Sequence, residues 1–239
     1  MTSTATDRTV LPRQWPLRIN GLLFDLDGTL ADTVPDLTTA TNQMLCALDR
    51  APVTADQIRA WVGDGARRLV ARALAVDRIM SSETTEVDAA YRLFGDYYAR
   101  SVCVDSVLYP GVTGVLRSFQ QNGLAMACVT NKPRAFTTPL LEQLGLSRFF
   151  GVVVCGDDLP VRKPAPEPLL DAARRLAVPA TDCALVGDSV NDIRAARAAG
   201  MPVFWAGYGY GESQVPAQLN PDAVLDSIAE LNGLVTIGG

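Results

Sequence analysis

Six short apolar runs punctuate this chain, and where the first, second and fourth end, a polar or acidic residue follows. Residues 19–24 run into Asp25, residues 124–129 into Thr130, and residues 183–186 into Gly187 and Asp188. Further runs lie at 151–155 and 202–205, with a shorter one at 223–225. Such runs read as buried parallel strands. Between them, apolar residues recur at helical spacing. Val112, Val115, Leu116 and Phe119 form one set, stopped by Asn122 and Gly123. Phe136, Leu140, Leu141 and Leu144 form the next, stopped by Gly145. Leu169, Leu170, Ala173 and Leu176 give a third set; Ile193, Ala196 and Ala199 give a fourth, ended by Gly200. Strand alternating with helix predicts an α/β fold: a Rossmann-like, doubly wound parallel sheet with helices on both faces.

Residues 33–108 break that rhythm and read as helical throughout. Leu37, Thr41, Met44, Leu45 and Leu48 share one helical face; Thr54 and Gln57 form a capping-box pattern that opens a second helix. Ala66, Leu69, Val70, Ala73 and Leu74 mark a third, and Val87, Ala90, Tyr91, Phe94 and Tyr98 a fourth. This segment is expected to be a smaller helical cap inserted over the carboxyl edge of the sheet. The expected division is a flexible tail over 1–18, a core over 19–32 and 109–239, and the cap over 33–108.

The formal net charge is −5, without a basic block, which argues against a nucleic-acid partner. No apolar run approaches the roughly 20 residues that span a bilayer, and residues 1–18 lack the apolar stretch of a secretory signal. The five cysteines are scattered through apolar segments and form no CxxC pair, which suggests reduced thiols and a cytoplasmic protein. There is no histidine, so a Ser-His-Asp triad and every His-ligated zinc site are excluded. Acid–base chemistry must then use carboxylates, lysine or tyrosine.

The polar residues at the strand ends are the candidates for chemistry, because ligands bind at that edge of an open parallel sheet. Asp25 and Asp27 lie two positions apart and point to one side of an extended segment, before Gly28 turns the chain. The bland alternative is an Asx turn. Thr130, Asn131 and the following helix start can hold anionic oxygens, or simply cap that helix. Lys163 is either a fixed cation facing a phosphate or a solvated side chain. Asp188 and Asp192 lie about one helical turn apart and suit either a metal site or a helix N-terminus. Four carboxylates at one edge would repel each other, and a hard divalent cation, magnesium rather than zinc, resolves that repulsion.

Taken together and in order, these segments resemble the haloacid-dehalogenase-like phosphatase superfamily over nearly the whole chain. The matching residues are Asp25 and Asp27 in DLDGTL, Thr130 in VTNKP, Lys163 in RKPAPEP, and Asp188 and Asp192 in GDSVND. The resemblance implies that Asp25 is a nucleophile forming an acyl phosphate and Asp27 a general acid and base. It implies Mg²⁺ held by Asp25, Asp188 and the backbone carbonyl of Asp27, with Asp192 in support. Thr130, Asn131 and Lys163 would grip the phosphoryl oxygens. Asp27 also argues for phosphoryl transfer over dehalogenation, since the family's dehalogenases lack this second aspartate.

The chain is closer still to bacterial phosphoglycolate phosphatases in several stretches, including 61–66, 94–98, 156–158 and 208–211; Ala165 stands where that likeness expects histidine. The expected partner is a small phosphorylated metabolite, most simply 2-phosphoglycolate, with the chain a monomer or small homo-oligomer. A carboxylate on that substrate calls for a cation in the cap, and Arg67 and Arg68, after Gly65, are the candidates. Both also fit a plain surface helix. The 208–211 loop either touches the site or merely turns the chain. The alternatives are a phosphatase for another sugar or amino-sugar phosphate, a phosphomutase, or a non-catalytic binding protein. A phosphonate hydrolase would need a cap lysine, and residues 33–108 contain none.

Overall fold

The computed structural model describes residues 15–76, 85–211 and 219–238. In chain order the elements are β1 (Leu17–Ile19), β2 (Gly21–Phe24), β3 (Ala31–Asp32), α1 (Val34–Ala47), α2 (Ala55–Trp61), α3 (Ala66–Leu74) and α4 (Thr85–Arg100). There follow β4 (Val107–Leu108), α5 (Val112–Gln121), β5 (Ala125–Val129), α6 (Arg134–Gln143), β6 (Val152–Val154), α7 (Glu167–Arg175) and β7 (Cys183–Gly187). The chain then forms α8 (Val190–Ala199), β8 (Val203–Ala206), β9 (Ala223–Leu225), α9 (Leu231–Leu234) and β10 (Val235–Ile237). None of the described helices is long and apolar enough to cross a membrane.

Six strands form one parallel sheet in the order β6-β5-β2-β7-β8-β9. The chain starts in the middle with β2, winds out to β6, then returns to β7 on the other side of β2. That reversal opens a crevice at the carboxyl ends of β2, β5 and β7, where loops part in opposite directions. Alternation along the strands fills two cores. Leu22, Phe24, Met126, Cys128 and Val186 face α5 and α6, while Leu23, Ala127, Val129 and Leu185 face α7 and α8. Both sets are buried, as a sheet covered on two sides requires.

The first apolar run departs from expectation. Asn20 interrupts it, donating its N–H to the Asp182 carbonyl (2.8 Å), so residues 19–24 belong to two strands. Strand β1 leaves the main sheet and pairs with β10. Leu17 and Arg18, expected in the tail, are therefore paired with Val235 and Thr236. Residues 1–14 of that tail lie outside the described residues.

Helices α1 to α4 occupy the segment expected to be helical, and Thr54 and Gln57 close the capping box at α2. The chain leaves and re-enters the sheet region through β3 and β4, a small antiparallel pair that periodicity did not reveal. Asp36, buried in the first turn of α1, accepts N–H groups from Val104, Asp105 and Ser106 and the Ser106 hydroxyl. One carboxylate thus ties the outgoing helix to the returning chain.

Candidate active site

Asp25 follows directly on β2, and its N–H donates to the Val186 carbonyl (2.9 Å), so the ladder to β7 fixes its backbone. Its Oδ1 accepts the Leu26 N–H (2.8 Å) and lies 2.9 Å from Lys163 Nζ. Among the described residues nothing engages Oδ2. The chain then turns at Gly28, whose φ is +85° and where a Cβ would run into the Asp188 carboxylate. Only glycine meets both demands.

Asp188 follows β7 at the adjacent strand end. Its two oxygens accept the Thr29 hydroxyl (2.9 Å) and the Tyr210 N–H (2.8 Å). Asp192, one turn into α8, closes a capping box with Ser189 and places Oδ1 2.7 Å from Lys163 Nζ. One carboxylate therefore serves both helix capping, through Oδ2, and the site, through Oδ1. Lys163 is 2% exposed and spends its three protons on Asp25, Asp192 and the Val129 carbonyl (2.7 Å).

Oxygens of Asp25, Asp188 and Asp192 lie within 4.8 Å of one another, all buried. One ammonium, shared by Asp25 and Asp192, leaves an excess of negative charge among three buried carboxylates. Burial and the neighbouring Asp192 push Asp25 up to about 7 against the pull of Lys163. Burial, then Asp25 and Asp192, raise Asp188 well above the usual carboxylate range. All-oxygen donors with surplus charge fit a hard divalent cation. Asp192 has the Lys163 ammonium on one oxygen and Ser189 on the other, whereas Asp188 is held by the neutral donors Thr29 and Tyr210 and Asp25 is held through Oδ1, which leaves Asp25 and Asp188 as the better direct ligands.

Thr130 continues β5 by donating its N–H to the Val154 carbonyl (3.0 Å). The Asn131 amide donates to the carbonyls of Lys163 (2.9 Å) and Gly63 (2.8 Å), and so joins the sheet edge to the loop before α3. Asn191 adds a bond to Asp64 (2.8 Å) from the other side. Beneath these latches lies a cavity of about 30 Å³, lined by Asp25, Asp27, Gly65, Thr130, Asn131 and Lys132 among others. That space holds roughly one water, so an ester must part the helical segment from the sheet to enter.

This geometry can be set beside known proteins. The family model for haloacid dehalogenase-like hydrolases matches residues 19–200. The chain belongs to that family. A phosphoglycolate phosphatase of Nitrosospira multiformis is 42% identical over 221 residues, covering 92% of this chain and 97% of that protein. Phosphoglycolate phosphatase 1 of Pseudomonas aeruginosa is 42% identical over 214 residues, covering 88% and 77%. The crystal structure of a predicted phosphoglycolate phosphatase from Haemophilus somnus 129PT superposes with a TM-score of 0.82 at 32% identity, covering 90% of this chain and 96% of that one.

In this haloacid dehalogenase-like hydrolase, the strand-end motifs converge as their order suggested, and the cap arginines do not. Arg67 forks onto Asp88 (2.6 and 3.1 Å) and Arg68 is exposed; neither lines the cavity. The cation that does line it is Lys132, whose Nζ lies 3.0 Å from Asp27. Burial would lower Lys132, yet Asp27 and Tyr98 outweigh it and hold its ammonium above the ordinary range. Asp27 also accepts the Thr33 hydroxyl (2.7 Å). The 208–211 loop reaches Asp188: Tyr210 donates its N–H to that carboxylate (2.8 Å), and its hydroxyl accepts the Thr33 N–H (2.5 Å). A signal for Lys132 was present in the sequence. The chain has two lysines, 132 and 163, and Lys132 lies three residues past the end of β5.

Proposed function

We propose that this protein is a magnesium-dependent phosphatase that hydrolyses 2-phosphoglycolate to glycolate and phosphate through an aspartyl-phosphate on Asp25. The observation that carries this reading is Asp25 itself. It is buried, is clamped through one oxygen by Lys163 and Leu26, and lines a narrow cavity that it shares with Asp27.

Asp25 attacks phosphorus, and the bond from phosphorus to the ester oxygen breaks. Asp27 gives its proton to the departing alkoxide, then takes one from the water that cleaves the acyl phosphate. Lys132 and Thr33 orient Asp27 for both transfers. The Thr130 hydroxyl and the Asn131 backbone border the space for the phosphoryl oxygens. Lys163 holds Asp25 and Asp192 in register. Asp25, Asp188 and the Asp27 carbonyl would hold Mg²⁺, with Asp192 in support. Bound there, such an ion would offset repulsion between carboxylate and phosphate and would stabilise charge in the transition state. Residues 33–108 act as a cap over the core, excluding water once the Asn131 and Asn191 latches close. The name shared by the relatives at about 40% identity supports the choice of ester.

The test is phosphate release from a panel of phosphorylated metabolites, compared by kcat/KM with and without Mg²⁺. Asp25→Asn is expected to lose on the order of 10⁴-fold or more in turnover. Wild-type turnover in that variant, or a clear preference for a sugar phosphate, contradicts the proposal.

A further inference from the structure

The cavity beside Asp25 holds a hydroxyl that no step above uses and a lysine that those steps use only to orient Asp27. Lys132 stands two residues beyond Thr130 and is 5% exposed. Its ammonium meets Asp27 (3.0 and 3.3 Å) and lies 4.8 Å from the centre of the Tyr98 ring. An ammonium has three donors, and Asp27 does not exhaust them. Tyr98 comes from α4, wedged between Phe94 and Phe136 and fully buried. The Lys132 ammonium lies near enough to act on the Tyr98 hydroxyl, but that hydroxyl closes no well-formed hydrogen bond, alone among the buried side-chain polar atoms of the described residues, and its own proton has no acceptor. Buried polar groups are nearly always paired, so an unpaired one lining a cavity calls for a ligand. Burial pushes that phenol up to about 12, so it remains a neutral donor at working pH.

The geometry of the ester says what that ligand is. Asp27 must touch the ester oxygen to protonate it, and in 2-phosphoglycolate the carboxyl carbon is two bonds from that oxygen. The carboxylate therefore falls beside Asp27, where Lys132 already is and where Arg67 and Arg68 are not.

We infer that Lys132 and Tyr98 form the subsite for a carboxylate on the leaving group, Lys132 supplying the charge and Tyr98 the second hydrogen bond. The assignment rests on the phosphatase reading and makes its substrate class specific: short phosphate esters that end in a carboxylate. One partner belongs to the sheet edge and the other to the helical segment. A bound carboxylate thus bridges the two, and an ester without one closes the cavity less well.

Comparison of 2-phosphoglycolate with ethyl phosphate, which has a methyl group in place of the carboxylate, tests this. Wild type should favour 2-phosphoglycolate. The ratio of the two kcat/KM values should fall about tenfold in Tyr98→Phe and by about 30-fold or more in Lys132→Met, as expected for a neutral and a charged hydrogen bond. Because it is a ratio, damage to Asp27 or to the phosphate grip cancels. Calorimetric binding of both esters to Asp25→Asn, with and without Tyr98→Phe, gives the same comparison without turnover. A wild type that prefers 2-phosphoglycolate, with a ratio that survives both substitutions, overturns the subsite and leaves the phosphatase reading intact. A wild type indifferent to the carboxylate overturns both the subsite and the choice of substrate.

Discussion

Replacing Tyr98 with phenylalanine should make the free protein more stable even as it blunts selectivity. A buried hydroxyl with no partner carries a desolvation penalty of about 1–3 kcal/mol. Phenylalanine removes that penalty and keeps the ring, with its contacts to Phe94 and Phe136 and its face toward the Lys132 ammonium, losing only the hydroxyl's own pull on that ammonium. A void the size of the lost oxygen offsets part of the gain, leaving a net stabilisation of about 1 kcal/mol. For a chain of this size that is a rise in Tm of about 2–4 °C. Equilibrium urea unfolding followed by tryptophan fluorescence and circular dichroism should show a higher midpoint with an unchanged slope. Tyr98→Leu is the contrast, losing the aromatic packing and about 3 kcal/mol. If Tyr98→Phe were instead destabilised by 1 kcal/mol or so, the hydroxyl would be bonded in the free protein. The case for a site awaiting an acceptor would then fall.

Two further outcomes follow from the carboxylate cluster. Lys163→Met leaves Asp25 and Asp192 buried without their counter-charge, and urea unfolding near neutral pH should show a loss of about 3–5 kcal/mol; stability equal to wild type would refute the assigned role. In metal-free protein, Asp25, raised from 3.8 to about 7, binds its proton more tightly folded than unfolded. Its contribution therefore disappears as pH rises through the window from about 4 to 7, and Asp188 acts in the same direction. Chelator-treated protein should melt higher at pH 5.5 than at pH 7.5, with Mg²⁺ restoring stability mainly at the higher pH. A melting point insensitive to Mg²⁺ at pH 7.5 would contradict a metal at this cluster.

The sheet was legible because its strands are buried on both faces and read as plain apolar runs, each helix between them carrying its own stop. The strand ends located Asp25, Thr130 and Asp188 for the same reason. Asn20 was not legible: one polar residue inside an apolar run gives no sign that the strand changes partners. Strands β3 and β4 are two residues each, too short for any period. Arg67 and Arg68 drew attention by charge and position, but which way a helical residue points depends on what packs beneath, and α4 offered Asp88. Tyr98 fitted the apolar stripe of its helix, and nothing in that pattern separates a ring that fills space from one whose oxygen lines a cavity. Lys132 sat inside the VTNKP segment, where Thr130 and Asn131 had already supplied a sufficient reason for the motif.

The scarcity of lysine gives this molecule a built-in reporter. Both lysines are buried, Lys132 with Tyr98 of α4 against its ammonium. Amine-directed reagents would find no other side chain to acylate. The rate at which Lys132 is acylated, followed by peptide mass mapping, would count how often the helices lift from the sheet. Saturation with a slowly turned-over ester should silence that clock.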